Sequence, residues 1–167
     1  MMLQGMPYGF IERKDMMGRS PIQILVFPYR VPADGEIRYA VFRRADAGYR
    51  QAIAGGGEDD ETPLDAARRE SFEEASIPAD SRFIMLDSFS TVPAVGIAGL
   101  IWGEKTLVVP QYCFGVEVTD ENLKLSHEHI EYAWLMYDEA HGILHWDSNK
   151  NALWELDVRL RKQTRRR

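Results

Sequence analysis

Apolar and polar positions divide this chain into short strands and a few helices. A continuous apolar run at 22–29 is typical of a buried strand, and Asp34-Gly35 beyond it is typical of a hairpin turn. Apolar residues three and four positions apart predict a final helix of about fifteen residues that begins at Ser148. Strands are predicted at 22–29, 37–44, 51–54, 83–91, 106–118 and 131–136, and shorter helices at 63–75 and 138–144. This order indicates an α+β fold.

The segment after the glycines at 55–57 carries the signals of a short helix with defined ends. Thr62 is a preferred N-cap residue, and Pro63 occupies the first helical position, where a missing N–H group costs nothing. Asp65 lies where a capping box places its acidic residue. The helix is predicted to end near Ala75, just ahead of a proline.

Three glutamates share one face of this helix. At about 100° per residue, Glu74 lies roughly 40° from Glu70, and Glu73 lies roughly 60° to the other side. Like charges at this spacing destabilise an exposed helix by a few tenths of a kcal/mol, so a cation held between the carboxylates would explain the arrangement. Carboxylate oxygens favour Mg²⁺, with Mn²⁺ as a substitute. A bare Glu-x-x-Glu-Glu is more often a solvated acidic face, so the surrounding residues must decide.

The sequence around the glutamates resembles the Nudix box of the Nudix hydrolases. Five residues separate Gly55 from Glu61, and seven separate Glu61 from Arg69. Ser71 stands where the family usually has a large aliphatic residue, and Ser76 stands where it usually has glycine. The positions that fit are Gly55, Glu61, Arg69, Glu70, Glu73, Glu74 and Ile77.

The resemblance implies the Nudix fold, in which a mixed β-sheet is sandwiched between α-helices and carries a loop-helix-loop catalytic motif. The two departures bear on helix shape more than on chemistry. Ser71 is expected to return its hydroxyl to the carbonyl of Ala67. Ser76 is expected to cost about 1 kcal/mol or more if the turn after the helix needs a left-handed residue.

The resemblance also implies a set of metal ligands. Glu70 and Glu74 are the expected primary ligands, and Glu73 is either a further ligand or orients the attacking water. The backbone carbonyl of Ala54 is expected to bind metal as well, since the glycines that follow leave room for an ion. Glu128, in a loop, aligns with a glutamate that reaches the metal site in one Nudix subgroup. Glu128 is therefore a further ligand or the general base, and the sequence does not decide between Glu73 and Glu128 as that base.

Other charged residues have expected supporting roles. Arg69 lies beside Glu73 and can pair with Glu73 or with Glu61, which would hold the carboxylates in position. Three arginines that precede the box are candidate clamps for the phosphates of a substrate, although each is as easily a solvent-facing residue at a strand end: Arg43, Arg44 and Arg50.

The flanking sequence resembles bacterial dihydroneopterin triphosphate pyrophosphohydrolases, a Nudix subgroup that also acts on deoxynucleoside triphosphates such as dATP. The similar segments are SPIQILVFPYR, FRRADAGYRQAIAGGGEDDET, HEHIEYAWL and SNKNALWEL. His127 and His129 flank Glu128, but no further histidine or cysteine completes a zinc site. Both are expected at the surface or stacked on the substrate.

Length, charge and cysteine content limit the remaining possibilities for domain organisation, binding partners and location. The 167 residues suit a single domain, predicted at 20–163 between a loosely held segment at 1–19 and a basic tail at 164–167. A net charge of −6 disfavours nucleic-acid binding, and the basic residues near the C-terminus are expected to be a solvated tail. The single cysteine, Cys113, excludes an internal disulfide and is expected to be buried. No apolar stretch is long enough for a membrane span and no signal peptide is present, so a cytoplasmic location is expected.

The expected function is Mg²⁺-dependent hydrolysis of a phosphoanhydride in a nucleoside triphosphate-like substrate, with release of pyrophosphate and a monophosphate. The partner is a small phosphorylated molecule, and a homodimer is compatible with the sequence. Three other substrate classes stay open: dinucleoside polyphosphates, nucleotide sugars and RNA 5′ ends. A Nudix domain that senses a nucleotide without hydrolysis is a fourth alternative, although all four box glutamates are present.

Overall fold

The computed structural model describes residues 18–95 and 101–164, and within them a seven-stranded sheet carries helices on both faces. Its strands are β1 (Arg19–Arg30), β2 (Arg38–Arg44), β3 (Arg50–Gln51), β4 (Ile53–Glu58), β5 (Phe83–Pro93), β6 (Val108–Glu117) and β7 (His129–Leu135). Helices α1 (Pro63–Ala75), α2 (Tyr137–Ile143) and α3 (Asp147–Thr164) lie within the same residues. Within those ranges, no helix has the length and apolar composition needed to cross a lipid bilayer.

The sheet is mixed, and β1 is its organising strand. Along the main path the order is β3-β2-β1-β6-β5, while β4 pairs with β1 and β7 pairs with β2. Strand β1 runs antiparallel to β2 and β4 and parallel to β6. The α+β architecture predicted from the sequence is therefore confirmed.

Both faces of β1 are buried, which explains its uninterrupted apolar sequence. Ile24 and Val26 pack in the core cluster beneath α1, whereas Leu25 and Phe27 pack in the cluster that also holds α2 and α3. The cysteine at the second cluster, Cys113, is buried as predicted. The sheet is thus enclosed between α1 on one side and α2 with α3 on the other.

The glycines at 55–57 lie inside a strand. The sequence predicts a short strand at 51–54 that runs into the glycines, and the structure places the glycines within β4, which continues to Glu58. They serve close packing rather than a turn: a Cβ on Gly57 would lie 2.5 Å from Ile22 Cγ1. Strand and helix ends elsewhere differ from the prediction by up to three residues, as at β1, which begins at Arg19.

Two predicted regions fall partly outside the described residues: the N-terminal segment at 1–19 and the basic tail at 164–167. The basic residues that are described extend α3 rather than forming a separate tail. Arg159 pairs with Glu155 and Asp87, and Arg161 pairs with Asp157.

Helix α1 begins and ends as its sequence predicts. Thr62 accepts a hydrogen bond from the Asp65 amide, and the Asp65 side chain accepts one from Thr62 in return, which completes the capping box. Ser76 ends the helix in the left-handed conformation, with φ 54° and ψ 32°. The prediction for Ser71 is wrong, because its buried hydroxyl has no hydrogen-bond partner among the described residues.

We expect Ser76→Gly to raise the stability of the protein by about 1 kcal/mol, because glycine adopts the left-handed conformation without the clash of a Cβ. In a chain of this size the melting temperature should rise by about 2–4 °C. Ser81→Gly is the matched control, because Ser81 has no positive φ and should lose stability. Equal shifts for the two variants in thermal unfolding would contradict the strain at Ser76.

Candidate active site

Helix α1 presents two of its glutamates to β4 and the third to solvent. The Glu74 side chain is 2% exposed and the Glu70 side chain is 13% exposed, whereas that of Glu73 is 56% exposed. Gly55 makes the burial of Glu70 possible, because a Cβ at this position would lie 2.0 Å from Glu70 Cδ. The helix and the glycine strand therefore enclose a carboxylate pair one helical turn apart.

Arg69 ties this pair to the loop before the helix. Its Nε and Nη2 donate to both oxygens of Glu61 at 2.8 and 2.9 Å, and Nη2 also donates to the Gly56 carbonyl at 2.7 Å. Its Nη1 donates to Glu70 Oε1 at 2.9 Å and lies 3.4 Å from Glu73 Oε2. Both pairings considered from the sequence are thus present, and the bidentate contact to Glu61 is the tighter of them.

Glu74 has a partner that the sequence did not indicate. His129, the first residue of β7, places Nε2 2.6 Å from Glu74 Oε2, and the imidazole is fully buried. The expectation of a surface or substrate-stacking histidine is therefore wrong for His129, while His127 is exposed. Glu74 Oε1 is buried without a hydrogen-bond partner in the part of the chain that the structure describes.

The loop before β7 brings Glu128 to the same place. Its side chain is 42% exposed, and Oε2 lies 3.4 Å from Arg44 Nη1. Arg44 is held mainly by Asp46, to which Nε and Nη2 donate at 2.9 and 2.7 Å. Glu128 and Arg44 thus border the buried pair while remaining open to solvent on one side.

The other two predicted phosphate clamps form a separate group beside the site. Arg43 and Arg50 are register partners on β2 and β3. Both contact Glu131, with Arg50 Nη2 at 2.5 Å and Arg43 Nη1 at 3.7 Å from its Oε1. Ala54, the predicted carbonyl ligand, lies on β4 opposite Leu25 and just before Gly55.

The electrostatics of the pair follow from its burial. Burial raises the pKa of Glu70 to about 8, and the neighbouring Glu74 carboxylate adds to this effect while Arg69 opposes it. Burial likewise raises the pKa of Glu74 well above the usual range, and the charge of Glu128 adds to it. Burial lowers the pKa of His129, and the charge of Arg44 adds to this effect. The Arg69 hydrogen bond holds the pKa of Glu61 below its usual value.

These residues fit a divalent cation. The two buried carboxylates repel each other, and one of them has an oxygen without a hydrogen-bond partner among the described residues. A hard cation bound between them would neutralise their charges. Among the described residues no three acidic, histidine or cysteine side chains form a complete metal cage. Mg²⁺ seldom uses such cages, because it keeps several waters and binds through one or two carboxylates together with substrate phosphates.

A comparison of the chain with known protein families identifies the family to which this site belongs. The NUDIX domain family model matches residues 30–154, which include α1, β4, Glu128 and His129. The chain belongs to the Nudix family. As a Nudix hydrolase it is an enzyme that acts on acid anhydrides. No match was found among curated proteins.

Solved structures of Nudix hydrolases resemble this one over nearly their whole length. A NUDIX hydrolase from Listeria monocytogenes has 38% identity and a TM-score of 0.78, covering 86% of this chain and 97% of that chain. The E. coli dihydroneopterin triphosphate pyrophosphohydrolase has 22% identity and a TM-score of 0.67, with coverages of 82% and 94%. A C. elegans Ap4A hydrolase has 20% identity and a TM-score of 0.62, with coverages of 84% and 98%. The last two share the fold with this Nudix hydrolase.

Proposed function

We propose that this Nudix hydrolase cleaves a phosphoanhydride in a nucleoside triphosphate-like substrate, in a reaction that depends on Mg²⁺ and releases pyrophosphate and a monophosphate. The observation that carries the proposal is the buried pair Glu70 and Glu74, bordered by the partly exposed Glu128 and Arg44. This pair offers anionic oxygens to a cation. Beside it, Glu128 can accept a proton and Arg44 can donate hydrogen bonds to a phosphate.

The metal would be held by Glu70 and Glu74, with the Ala54 carbonyl and Glu128 as candidate additional ligands. When bound, Mg²⁺ neutralises charge on phosphate oxygens and lowers the pKa of a coordinated water, and Mn²⁺ can substitute for it. Arg69 and Glu61 act on this site indirectly, because their bidentate contact fixes Arg69, which in turn donates to Glu70.

Two residues are candidates for the general base. Glu73 is exposed on the outer side of α1, and Glu128 is partly exposed in the loop before β7. Either carboxylate is open to a water molecule, which is what a base needs to accept a proton from it. Loss of the base should lower kcat by about 10²–10⁴-fold, so Glu73→Gln and Glu128→Gln measured side by side distinguish them.

Arginines adjacent to the site would bind the substrate phosphates. Arg44 is nearest to the carboxylate pair through Glu128, and its guanidinium is already oriented by two hydrogen bonds from Nε and Nη2 to Asp46. Arg43 and Arg50 share Glu131 and would exchange part of that contact for a phosphate.

The side of the sheet that faces α3 carries a polar row suited to a ring with hydrogen-bonding edges. Gln23 on β1 and Gln111 on β6 are register partners, and Ser90 Oγ donates to Gln111 Oε1 at 2.9 Å. The Gln23 Nε2 group is buried and has no hydrogen-bond partner within the described ranges. Together with the similar segments around the box, this row favours a nucleobase or pterin triphosphate, such as dATP or dihydroneopterin triphosphate.

We expect Gly55→Ala to weaken Mn²⁺ binding by about 10- to 100-fold, because the new Cβ would displace the Glu70 carboxylate. Stability should change little, because the displaced atoms are the end of a flexible side chain. Gly56→Ala is the matched control, since its Cβ would lie nearest to Gln23 Nε2, at 3.1 Å, rather than to Glu70. Equal losses for both variants in a Mn²⁺ titration would show that strand distortion, not Glu70, is responsible.

The proposed activity is tested by incubating the protein with Mg²⁺ and a panel of candidate substrates. The panel contains dihydroneopterin triphosphate, dATP, other nucleoside triphosphates, a dinucleoside polyphosphate, a nucleotide sugar and a capped RNA. Pyrophosphate from a triphosphate would support the proposal, and turnover of another member alone would reassign the substrate class. No turnover, with a nucleotide still raising the melting temperature, would favour a sensor domain.

A further inference from the structure

We infer that His129 is a positioning residue, which donates a hydrogen bond from Nε2 to Glu74 Oε2 and leaves Glu74 Oε1 as the oxygen that meets the cation. The inference rests on the proposed function, because it takes Glu74 as a metal ligand. In this role the imidazole contacts neither the metal nor the substrate.

The geometry of the pair supports a single orientation of the carboxylate. Nε2 and Oε2 lie 2.6 Å apart, and both side chains are almost completely buried. Oε1 of the same carboxylate is buried without a partner in residues 18–95 and 101–164. A contact this short between buried groups restricts rotation about the last bond of the glutamate, so the two oxygens are not interchangeable.

The surroundings of the ring identify which nitrogen carries the proton. A carboxylate oxygen can only accept a hydrogen bond, so the 2.6 Å contact with Glu74 Oε2 places a hydrogen on Nε2. Nε2 is therefore the donor, and Glu74 can accept it as a carboxylate, the form that binds a metal.

His129 is itself held from two directions. Its ring lies against Phe42 of β2, with centroids 5.1 Å apart and planes tilted by 41°. The loop before it is tied to the end of α1, because the Ser126 amide donates to the Glu74 carbonyl at 3.0 Å. The same loop carries Glu128, so one segment fixes the orientation of Glu74 and delivers the solvent-accessible carboxylate.

Variants of His129 separate donation from packing. His129→Leu removes the donor at similar volume, and we expect Mn²⁺ binding, followed by electron paramagnetic resonance, to weaken about 10- to 100-fold. His129→Gln can donate from a similar position and should retain affinity within a few-fold of the wild type. His127→Leu makes the same substitution at the exposed histidine of the same loop, and as the matched control it should leave the affinity nearly unchanged. Melting temperatures in EDTA show whether each variant is folded.

A second measurement does not depend on a variant that folds. Long-range ¹H–¹⁵N spectra of the histidine-labelled wild type with Mg²⁺ should show a proton on Nε2 of His129. The Nδ1–H tautomer would overturn the inference, as would unchanged Mn²⁺ affinity in His129→Leu or equal losses in His129→Leu and His129→Gln. If Glu74→Gln abolishes Mn²⁺ binding while His129→Leu does not, only this inference fails. If neither the wild type nor Glu74→Gln binds Mn²⁺, the proposed metal site fails with it.

Discussion

Glu74→Gln should lower kcat by about 10³-fold while leaving the protein folded. The amide keeps the size of the side chain but removes the anionic oxygen that a cation needs, and metal ions contribute several kcal/mol to the stabilisation of such transition states. In EDTA the variant should be at least as stable as the wild type, because it no longer buries an ionisable carboxyl next to Glu70.

Two controls make this result specific. Glu117→Gln changes an exposed glutamate that pairs with Arg82 on another part of the sheet, and should retain wild-type activity. Thermal unfolding in EDTA confirms that any loss of activity is not a loss of folding. Near-normal kcat in Glu74→Gln at saturating Mg²⁺ would remove Glu74 from the site.

The metal-free protein should lose stability as the pH rises toward 8. Because burial and the nearby Glu74 raise the pKa of Glu70 to about 8, the folded state holds a proton that the unfolded state releases above its ordinary pKa. Stability from this group is fully present below that ordinary value and is lost as the pH approaches 8. Between pH 6.5 and 8 the loss should be about 2 kcal/mol, or a fall of about 4–8 °C in melting temperature.

This pH range is chosen because the titration of His129 changes the stability in the opposite direction only at lower pH. Its lowered pKa adds stability as the pH rises up to its ordinary value near 6.5, and has no effect on the pH dependence of stability above it.

Mg²⁺ should stabilise the protein increasingly toward pH 8, because it competes with the protons on the carboxylates. Thermal melts with EDTA and with Mg²⁺ measure both effects, with Glu70→Gln as the control. A fall as steep in Glu70→Gln as in the wild type would contradict this assignment.

Local signals made α1 predictable to the residue at both ends. Thr62, Pro63 and Asp65 act within one turn of each other, so the start of the helix depends little on the rest of the fold. The left-handed conformation of Ser76 was expected only as a condition, from the glycine that the family usually has at this position, and the structure adopts it. The pairing of Glu70 with Glu74 also follows from helical spacing, whereas spacing alone did not predict that Glu73 would face solvent.

Residues that depend on tertiary pairing were harder to predict. His129 meets Glu74 across 55 positions, through the pairing of β7 with β2, and no local pattern distinguishes it from the exposed His127. Asn149 likewise gives no local sign that its Oδ1 accepts the Ala52 amide, which supports the strand leading to the predicted carbonyl ligand. The strand that contains the glycine run was predicted to end too early, because close approach and turning have the same composition.

The most direct test of the proposed reaction is ³¹P nuclear magnetic resonance of one reaction mixture. The metal-free enzyme is mixed with dATP or dihydroneopterin triphosphate, and spectra are recorded before and after Mg²⁺ is added. We expect no change before addition, and afterwards equal amounts of pyrophosphate and a nucleoside or pterin monophosphate. Orthophosphate with a diphosphate, or hydrolysis that proceeds equally in EDTA, would contradict the proposed reaction.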